Sequence, residues 1–298
     1  MQFPRELLAT LDAIATTGSF EAAAEQLRVT PSAISQRVRG FERSLGRVLV
    51  VRSRPVALTG DGTALLRLAR QVAILEHEAT AAMGIEGHAG RPLVPIAVNA
   101  DSLATWLLPP VAAAAERLGV VVELHRDDQD HTAELLAAGA VVAAVGSRAE
   151  PVAGCIVRPL GAMTYRPMAS PAFVARWFPD GVDARALAAA PLVDFDRKDD
   201  LQTTGLARMA PGAALEPPRS YVPASADFLL AARLGLGWAM IPDVQASAAL
   251  ADGGLVDLDR SASVEVPLHW HQWDLRSPLL DGIADAVVAE ARRALSRS

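Results

Sequence analysis

Two short helical patterns separated by a three-residue break constrain this chain more than any other feature. Ser19 stands as an N-cap before Phe20, with Ala23, Ala24 and Leu27 sharing one face and Glu21 beside the positive helix end. Arg28-Val29-Thr30 interrupts the pattern. Thr30-Pro31 then reads as an N-cap followed by proline at the first helical position, where its missing N–H costs nothing. Ile34, Val38, Phe41 and Leu45 give the next helix a buried stripe that Gly46 closes. An earlier helix carries Leu7, Leu8, Leu11, Ile14 and Ala15 at helical spacing and ends at Gly18. Two short helices joined by a tight turn form a helix-turn-helix.

The face opposite the buried stripe indicates what this motif does. Ser32, Ser35, Gln36, Arg39 and Arg43 stand there, and Ser32, Gln36 and Arg39 fall within two turns on one side. Glutamine can pair with adenine edges, arginine with guanine or phosphate, and serine with either. The net charge of −6 argues against nucleic acid until its distribution is considered. Arg28, Arg37, Arg39, Arg43, Arg47, Arg52 and Arg54 are opposed in their segment only by Glu42, while the rest of the chain carries the acidity. A merely solvated polar helix is the bland alternative, and the arginine cluster outweighs it. Beyond Gly46, segments 48–51 and 56–58 read as two short strands around Arg52-Ser53-Arg54-Pro55. That is a wing, with Arg52 and Arg54 placed for phosphate or the minor groove. The DNA-contact candidates are Arg28, Thr30, Ser32, Ser35, Gln36, Arg37, Arg39, Arg43, Arg52 and Arg54. Double-stranded DNA is the expected partner.

From Gly62 to Met83 the chain favours helix. Leu65, Leu68, Val72, Leu75, Ala79 and Ala82 alternate in steps of three and four, the pattern of a pairing seam. A dimer is expected, because a two-fold pair of heads matches two half-sites. Segment 84–92, with Gly87, Gly90 and Pro92, reads as a hinge. The expected division is a winged head over 1–60, a dimerisation helix and hinge over 61–90, and a sensing domain over 91–298.

Other classes find little support. The single cysteine, Cys155, excludes an internal disulfide framework and a cysteine metal cage, and reads as a buried apolar side chain. No G-x-G-x-x-G, P-loop, G-x-S-x-G or H-E-x-x-H occurs, so no enzyme, catalytic residue, metal or cofactor is expected. His131, His269 and His271 lack ligand spacing with a further acid or cysteine. Residues 1–6 lack the basic-then-apolar order of a signal peptide, and no apolar run reaches the ~18 residues of a membrane span. A cytoplasmic protein without membrane contact is expected.

The order FEAAAEQLRVTPSAISQRVRGFERSLG followed by LVVRSRPVALTGDGTALLRLAR resembles the LysR-type transcriptional regulators. Beyond it, IAVNADSLATWLLP at 96–109 resembles the subfamily that controls basic amino-acid export, the ArgP and LysG type. One branch of that subfamily is described as a chromosome replication initiation inhibitor. Phe195-Asp196 with Asp199-Asp200, Met240-Ile241-Pro242 and Trp270-His271 agree with it. The resemblance implies a sensing domain of two α/β subdomains like those of periplasmic binding proteins. Subdomain I would cover about 91–161 and 266–298, and subdomain II about 162–265. It also implies an effector such as L-lysine or L-arginine in the cleft between them, an exporter gene as target, and tetramers assembled from dimers. A different small-molecule effector, or an architectural or replication-inhibiting role, is the alternative.

The residues of the sensing part support such a fold independently. Strands at 93–98, 120–125 and 141–145 alternate with helices at 101–117 and 131–138, a βαβ pattern, and a last helix spans 279–295. Ligands in open α/β sheets favour strand ends near helix N-termini. Asn99, Asp101 and Ser102 occupy such a place, where N–H groups and the Ser102 hydroxyl could hold a carboxylate. Asp101 and Ser102 could equally serve only as helix caps. Segment 193–196, containing Asp196, and Ala224-Ser225 would form the second wall. Asp127, Asp128, Asp130 and Asp196 are candidate anions for a cationic side chain, although 127–130 could be a solvated loop. Ser147 is a further candidate at a strand end, and Trp106 reads as core.

Overall fold

The computed structural model describes residues 3–84, 91–126 and 132–296. The head comprises α1 (Arg5–Thr17), α2 (Phe20–Gln26) and α3 (Pro31–Leu45), followed by a hairpin of β1 (Val50–Val51) and β2 (Ala57–Leu58). Local signals set its boundaries. The Ser19 hydroxyl accepts from the N–H groups of Glu21 and Ala22, and Thr30 Oγ1 accepts from Ala33. Leu11, Ile14, Ala23, Ile34, Val38 and Leu49 close a core of their own. The hairpin strands are shorter than expected. Glu42 Oε1 takes the Leu49 N–H at 2.8 Å, and Thr59 Oγ1 donates to the Val48 carbonyl, so side chains occupy backbone groups that a longer ladder would use.

Helix α4 (Gly60–Ala82) leaves the head under a Thr59 cap. The expected seam is only partly free. Leu65 and Leu68 are used within the chain, packing on the head core. Val72 is half-buried, while Leu75, Ala79 and Ala82 face outward. The expected hinge over 84–92 lies mostly outside the described residues.

The remaining chain forms two α/β lobes. In the first, β3 (Leu93–Val98) runs parallel to both β4 (Val121–Arg126) and β5 (Ala143–Gly146). Its sequence is apolar throughout because helices cover both faces. The helix expected over 101–117 is two helices, α5 (Ala100–Thr105) and α6 (Leu108–Leu118). Pro109 and Pro110 have no N–H to give the Thr105 and Trp106 carbonyls, so the helix cannot run through. Helix α7 (Thr132–Ala137) precedes β5.

Two long antiparallel strands join the lobes: β6 (Cys155–Ala169) and β11 (Val264–Trp273). Gly161 sits at their crossing with φ +123°, and a Cβ there would lie 2.6 Å from the Ser296 carbonyl oxygen. Only glycine fits that approach. The second lobe contains α8 (Pro171–Trp177), α9 (Ala184–Ala189), β7 (Leu192–Asp194), α10 (Leu201–Met209), β8 (Arg219–Tyr221) and α11 (Ser225–Arg233). After these come β9 (Ala239–Pro242), α12 (Asp243–Ala251) and β10 (Val256–Asp257). Strands β9 and β10 pair with β6, and β7 pairs with β8. The last helix, α13 (Pro278–Ala294), buries Leu280, Ile283 and Val287 and packs beside α6 on the first lobe. Among the described residues no helix is long and apolar enough to cross a membrane, and no group of three or more His, Cys, Asp or Glu is placed to hold a metal ion.

Candidate functional site

The head presents one polar face. Ser32, Gln36, Arg39 and Arg43 recur at i, i+4, i+7 and i+11 along α3, and all four are exposed. Ser35 is half-buried at the edge of this stripe. Thr30 Oγ1 lies 2.9 Å from Ser32 Oγ while also capping the helix, so the cap fixes the first residue of the face. Arg28 is exposed in the turn, at φ 54°. Arg37 points elsewhere: it is half-buried against α1, with its guanidinium 3.9 Å from Glu6. Arg54 is exposed in the wing, and the Arg52 guanidinium lies 5.7 Å from the centre of the Phe20 ring. Glu42, the one acid of the segment, anchors the wing to α3 through the N–H groups of Leu49 and Val50. The arginines at the tip are thus carried on a fixed hairpin.

The second site is a cleft of about 460 Å³ between the two lobes. The first lobe contributes Asn99, Ala100 and Asp101 at the end of β3. The second contributes the 195–202 segment, Phe228, Met240 and Pro242, and the crossing strands add Tyr165, Val264 and Val266. Four carboxylates, those of Asp101, Asp196, Asp199 and Asp200, line it against one ammonium, that of Lys198.

Asp101 bridges the lobes. Its carboxylate accepts from Tyr165 Oη at 2.7 Å and from Ser225 Oγ at 2.7 Å, and Ser225 opens α11 on the opposite lobe. Burial pushes the Asp101 carboxyl above its ordinary range, and the two hydroxyl donors oppose that shift. Burial and the neighbouring Asp101 charge push the Tyr165 hydroxyl well up, so it stays a donor. Neither Asn99 nor Asp101 caps α5 with its side chain. Asn99 Oδ1 and Ser102 Oγ are buried without a protein partner. Buried polar atoms usually find a partner, so Asn99, which lines the cleft, is a candidate for ligand contact.

The opposite wall is held by Asp199. Its Oδ2 accepts from the Phe195 N–H at 3.2 Å and from Gln202 Nε2 at 3.3 Å, and its Oδ1 accepts from the Leu201 N–H at 2.9 Å. Asp199 is therefore committed to shaping the loop. Asp196 is bound only on one oxygen, by the Lys198 N–H at 2.6 Å. Asp194, two residues earlier, is buried and tied to Arg219 Nη1 at 2.9 Å, away from the cavity lining. Burial raises its pKa, and Arg219 opposes the rise.

The structure gathers some of the expected effector residues and separates others. Asn99, Asp101 and Asp196 line the cleft, and Ser225 reaches it through Asp101. Ser102 is fully buried behind the lining, and Ser147, after β5, is half-buried and not part of it. Asp127, Asp128, Asp130 and His131 lie outside the described residues. The expectation had no place for Tyr165, Gln202 or Phe228. Tyr165 is one of only two tyrosines in the chain, and its place between Thr164 and Arg166 on a long strand is the available signal. Trp106 is core, and Cys155 is buried.

Comparison with known proteins finds matches over both the head and the two lobes. The profile of the bacterial regulatory helix-turn-helix protein, lysR family, matches residues 6–63, and that of the LysR substrate binding domain matches residues 94–292. The HTH-type transcriptional regulator LysG of Mycobacterium tuberculosis is 46% identical over 285 residues, covering 95% of this chain and 92% of that one. The lysine export transcriptional regulatory protein LysG of Corynebacterium efficiens is 41% identical over 288 residues, covering 97% and 98%. The solved full-length LysG of Corynebacterium glutamicum with bound effector Arg superposes with a TM-score of 0.76 at 37% identity, covering 99% and 100%.

Proposed function

The chain belongs to the LysR family of bacterial transcriptional regulators, and from that premise we propose that its cleft senses a basic amino acid and controls transcription of an exporter gene for it. The acid lining of the cleft carries the reading: four carboxylates against one ammonium suit a ligand with net positive charge. The bound arginine and the lysine-export name of the relatives point the same way. The unpartnered Asn99 Oδ1 and the Asp101 carboxylate are acceptors for an α-ammonium group. Asp196 is the free-handed acid on the facing wall for the distal cation, with Phe195, Phe228 and Met240 lining the space for its methylene stem.

DNA contact belongs to the exposed α3 stripe and the wing arginines, with Ser32 and Gln36 nearest the bases and later arginines on phosphate. Two copies pair through the outward face of α4, where Leu75 is 43% exposed. Sedimentation tests this: Leu75→Glu should shift the protein toward monomer, and an unchanged assembly would place the pairing surface elsewhere. An effector changes DNA binding only through its difference in affinity for the two arrangements of the heads.

Calorimetry with lysine, arginine, histidine and glutamine tests the sensing itself. Saturable binding of a basic amino acid and none of glutamine is expected. Equal binding of glutamine, or no binding at all, would overturn the effector class while leaving the regulator family intact.

A further inference from the structure

Helix α4 is fastened to the first lobe by a face distinct from its exposed seam. Arg67 Nη2 donates to the Gly154 carbonyl at 2.8 Å, and Ile74 is buried in the core of the lobe. Glu78 Oε1 accepts from Ser277 Oγ at 2.6 Å and from the Leu279 N–H at 2.9 Å, capping α13 from another element. Gly139, at φ +69°, lets the lobe approach so closely that a Cβ there would lie 3.2–3.3 Å from Arg67 backbone and Cβ atoms. A head joined to the lobe only by chain connectivity would need none of these contacts.

Arg70 differs from the other clamps because, from α4, it reaches both the head and the first lobe. Its Nε donates to Asp12 Oδ1 of α1 at 2.9 Å, and its Nη1 donates to the Gly139 carbonyl at 2.8 Å and to the Ala140 carbonyl. Its side chain is only 10% exposed. The planar fork of arginine can hold a carboxylate and carbonyls at once, which lysine cannot reproduce. The turn it grips leads into β5. Strand β5 pairs with β3, and β3 ends at Asn99 and Asp101 in the cleft.

We propose that Arg70 is the positioning residue that ties the DNA-binding head to the first lobe, so that the head follows movement of that lobe. Effector binding then moves the second lobe against a fixed unit of head, α4 and first lobe. The inference rests on the cleft being the sensing site, but its structural half is independent of which effector binds.

Full-length Arg70→Met keeps the apolar stem and removes the fork. Hydrogen exchange without ligand should show faster exchange at 139–142 and in α1, with α13 still protected. Asp12→Asn should loosen α1 and leave 139–142 protected, because Arg70 keeps its carbonyls. Arg5→Ala breaks an exposed pair between α1 and α4, Arg5 with Glu76, that does not reach the lobe, and should change neither. Arginine is then titrated with a DNA duplex selected by this protein from a random pool. The arginine-dependent change in DNA affinity, on the order of 5- to 150-fold for allosteric coupling, should collapse toward 1 in Arg70→Met. Calorimetric arginine affinity should stay within about twofold of wild type. Unchanged exchange at 139–142, or undiminished coupling, overturns the proposal. A wild type that ignores arginine refutes the effector reading, and the exchange pattern alone then decides the role of Arg70.

Discussion

The head and the cleft solve recognition in opposite ways. The recognition face of the head lies on a single helix of consecutive turns, so its residues are neighbours because of the 3.6-residue period. The cleft draws Asn99, Tyr165, Asp196, Ser225 and Val264 from segments scattered over more than half the chain. They meet only because two long strands cross between lobes. A local site is robust to changes elsewhere and can be read from one stretch of sequence. A site assembled by topology can open and close, because its walls belong to bodies joined by few contacts. Here Asp101 to Ser225 is a direct side-chain bond across that gap, and Arg126 adds a longer contact to the Pro223 carbonyl at 3.4 Å.

If the contrast holds, damage to the α3 face should abolish specificity without touching the cleft. Gln36→Ala with Arg39→Ala removes two side chains of the base-reading kind, each carrying about 1–3 kcal/mol of discrimination when bidentate. Specific DNA affinity should fall by roughly two orders of magnitude or more in a fluorescence titration. Calorimetric arginine binding should remain as in wild type. A parallel loss of arginine binding would break the separation of the two sites.

The converse variant is Asp101→Asn. Replacing a charged hydrogen-bond acceptor costs about 1.5–3 kcal/mol, so arginine affinity should weaken on the order of tenfold to a hundredfold. Thermal stability of the ligand-free protein should hold or rise, because the ionised carboxylate is penalised by burial. A variant that binds arginine normally but melts early would make Asp101 a structural bridge only. DNA affinity without ligand sharpens the comparison further, since the head should not register the change.

The same contrast explains what could be read in advance. Caps and glycine stops are local chemistry, so Ser19, Thr30, Gly18 and Gly46 marked the head helices correctly. The wing strands are shorter than their sequence suggests because nothing local reveals that Glu42, several residues earlier, takes the Leu49 and Val50 N–H groups. In the sensing domain the strand-end rule located Asn99, Asp101 and Asp196 beside the cleft. It failed for Ser102 and Ser147, whose direction depends on what packs above them. Tyr165 escaped because its role depends on the register between β6 and β11. The two prolines after Leu108 were legible as breakers, yet the strong apolar periodicity masked the break they cause. Asp196 and Asp199 look alike in sequence, and only the loop's backbone bonds separate the committed acid from the available one.

The smallest expected effect is the dependence of binding on pH. The Asp101 carboxyl sits above its ordinary value, chiefly through burial, with the Asp199 charge adding to the shift. A cationic ligand favours the ionised form, so a proton competes with it. Arginine binding should therefore weaken on acidification before an unperturbed aspartate would protonate. Stability responds in the opposite direction for this group. The folded chain holds that proton more tightly than the unfolded chain, so the Asp101 contribution to stability grows as pH falls through the raised pKa to the ordinary aspartate value. His271 works against it: burial lowers its pKa, so the unfolded chain protonates first and stability is lost as pH drops through the ordinary histidine value. Binding and melting profiles should thus separate, and calorimetry as pH is lowered from neutrality toward the ordinary aspartate value reads the first without the second. The wild-type Kd should climb across that range while the weak residual binding of Asp101→Asn stays flat. Equal slopes in both proteins would show that Asp101 is not the titrating group.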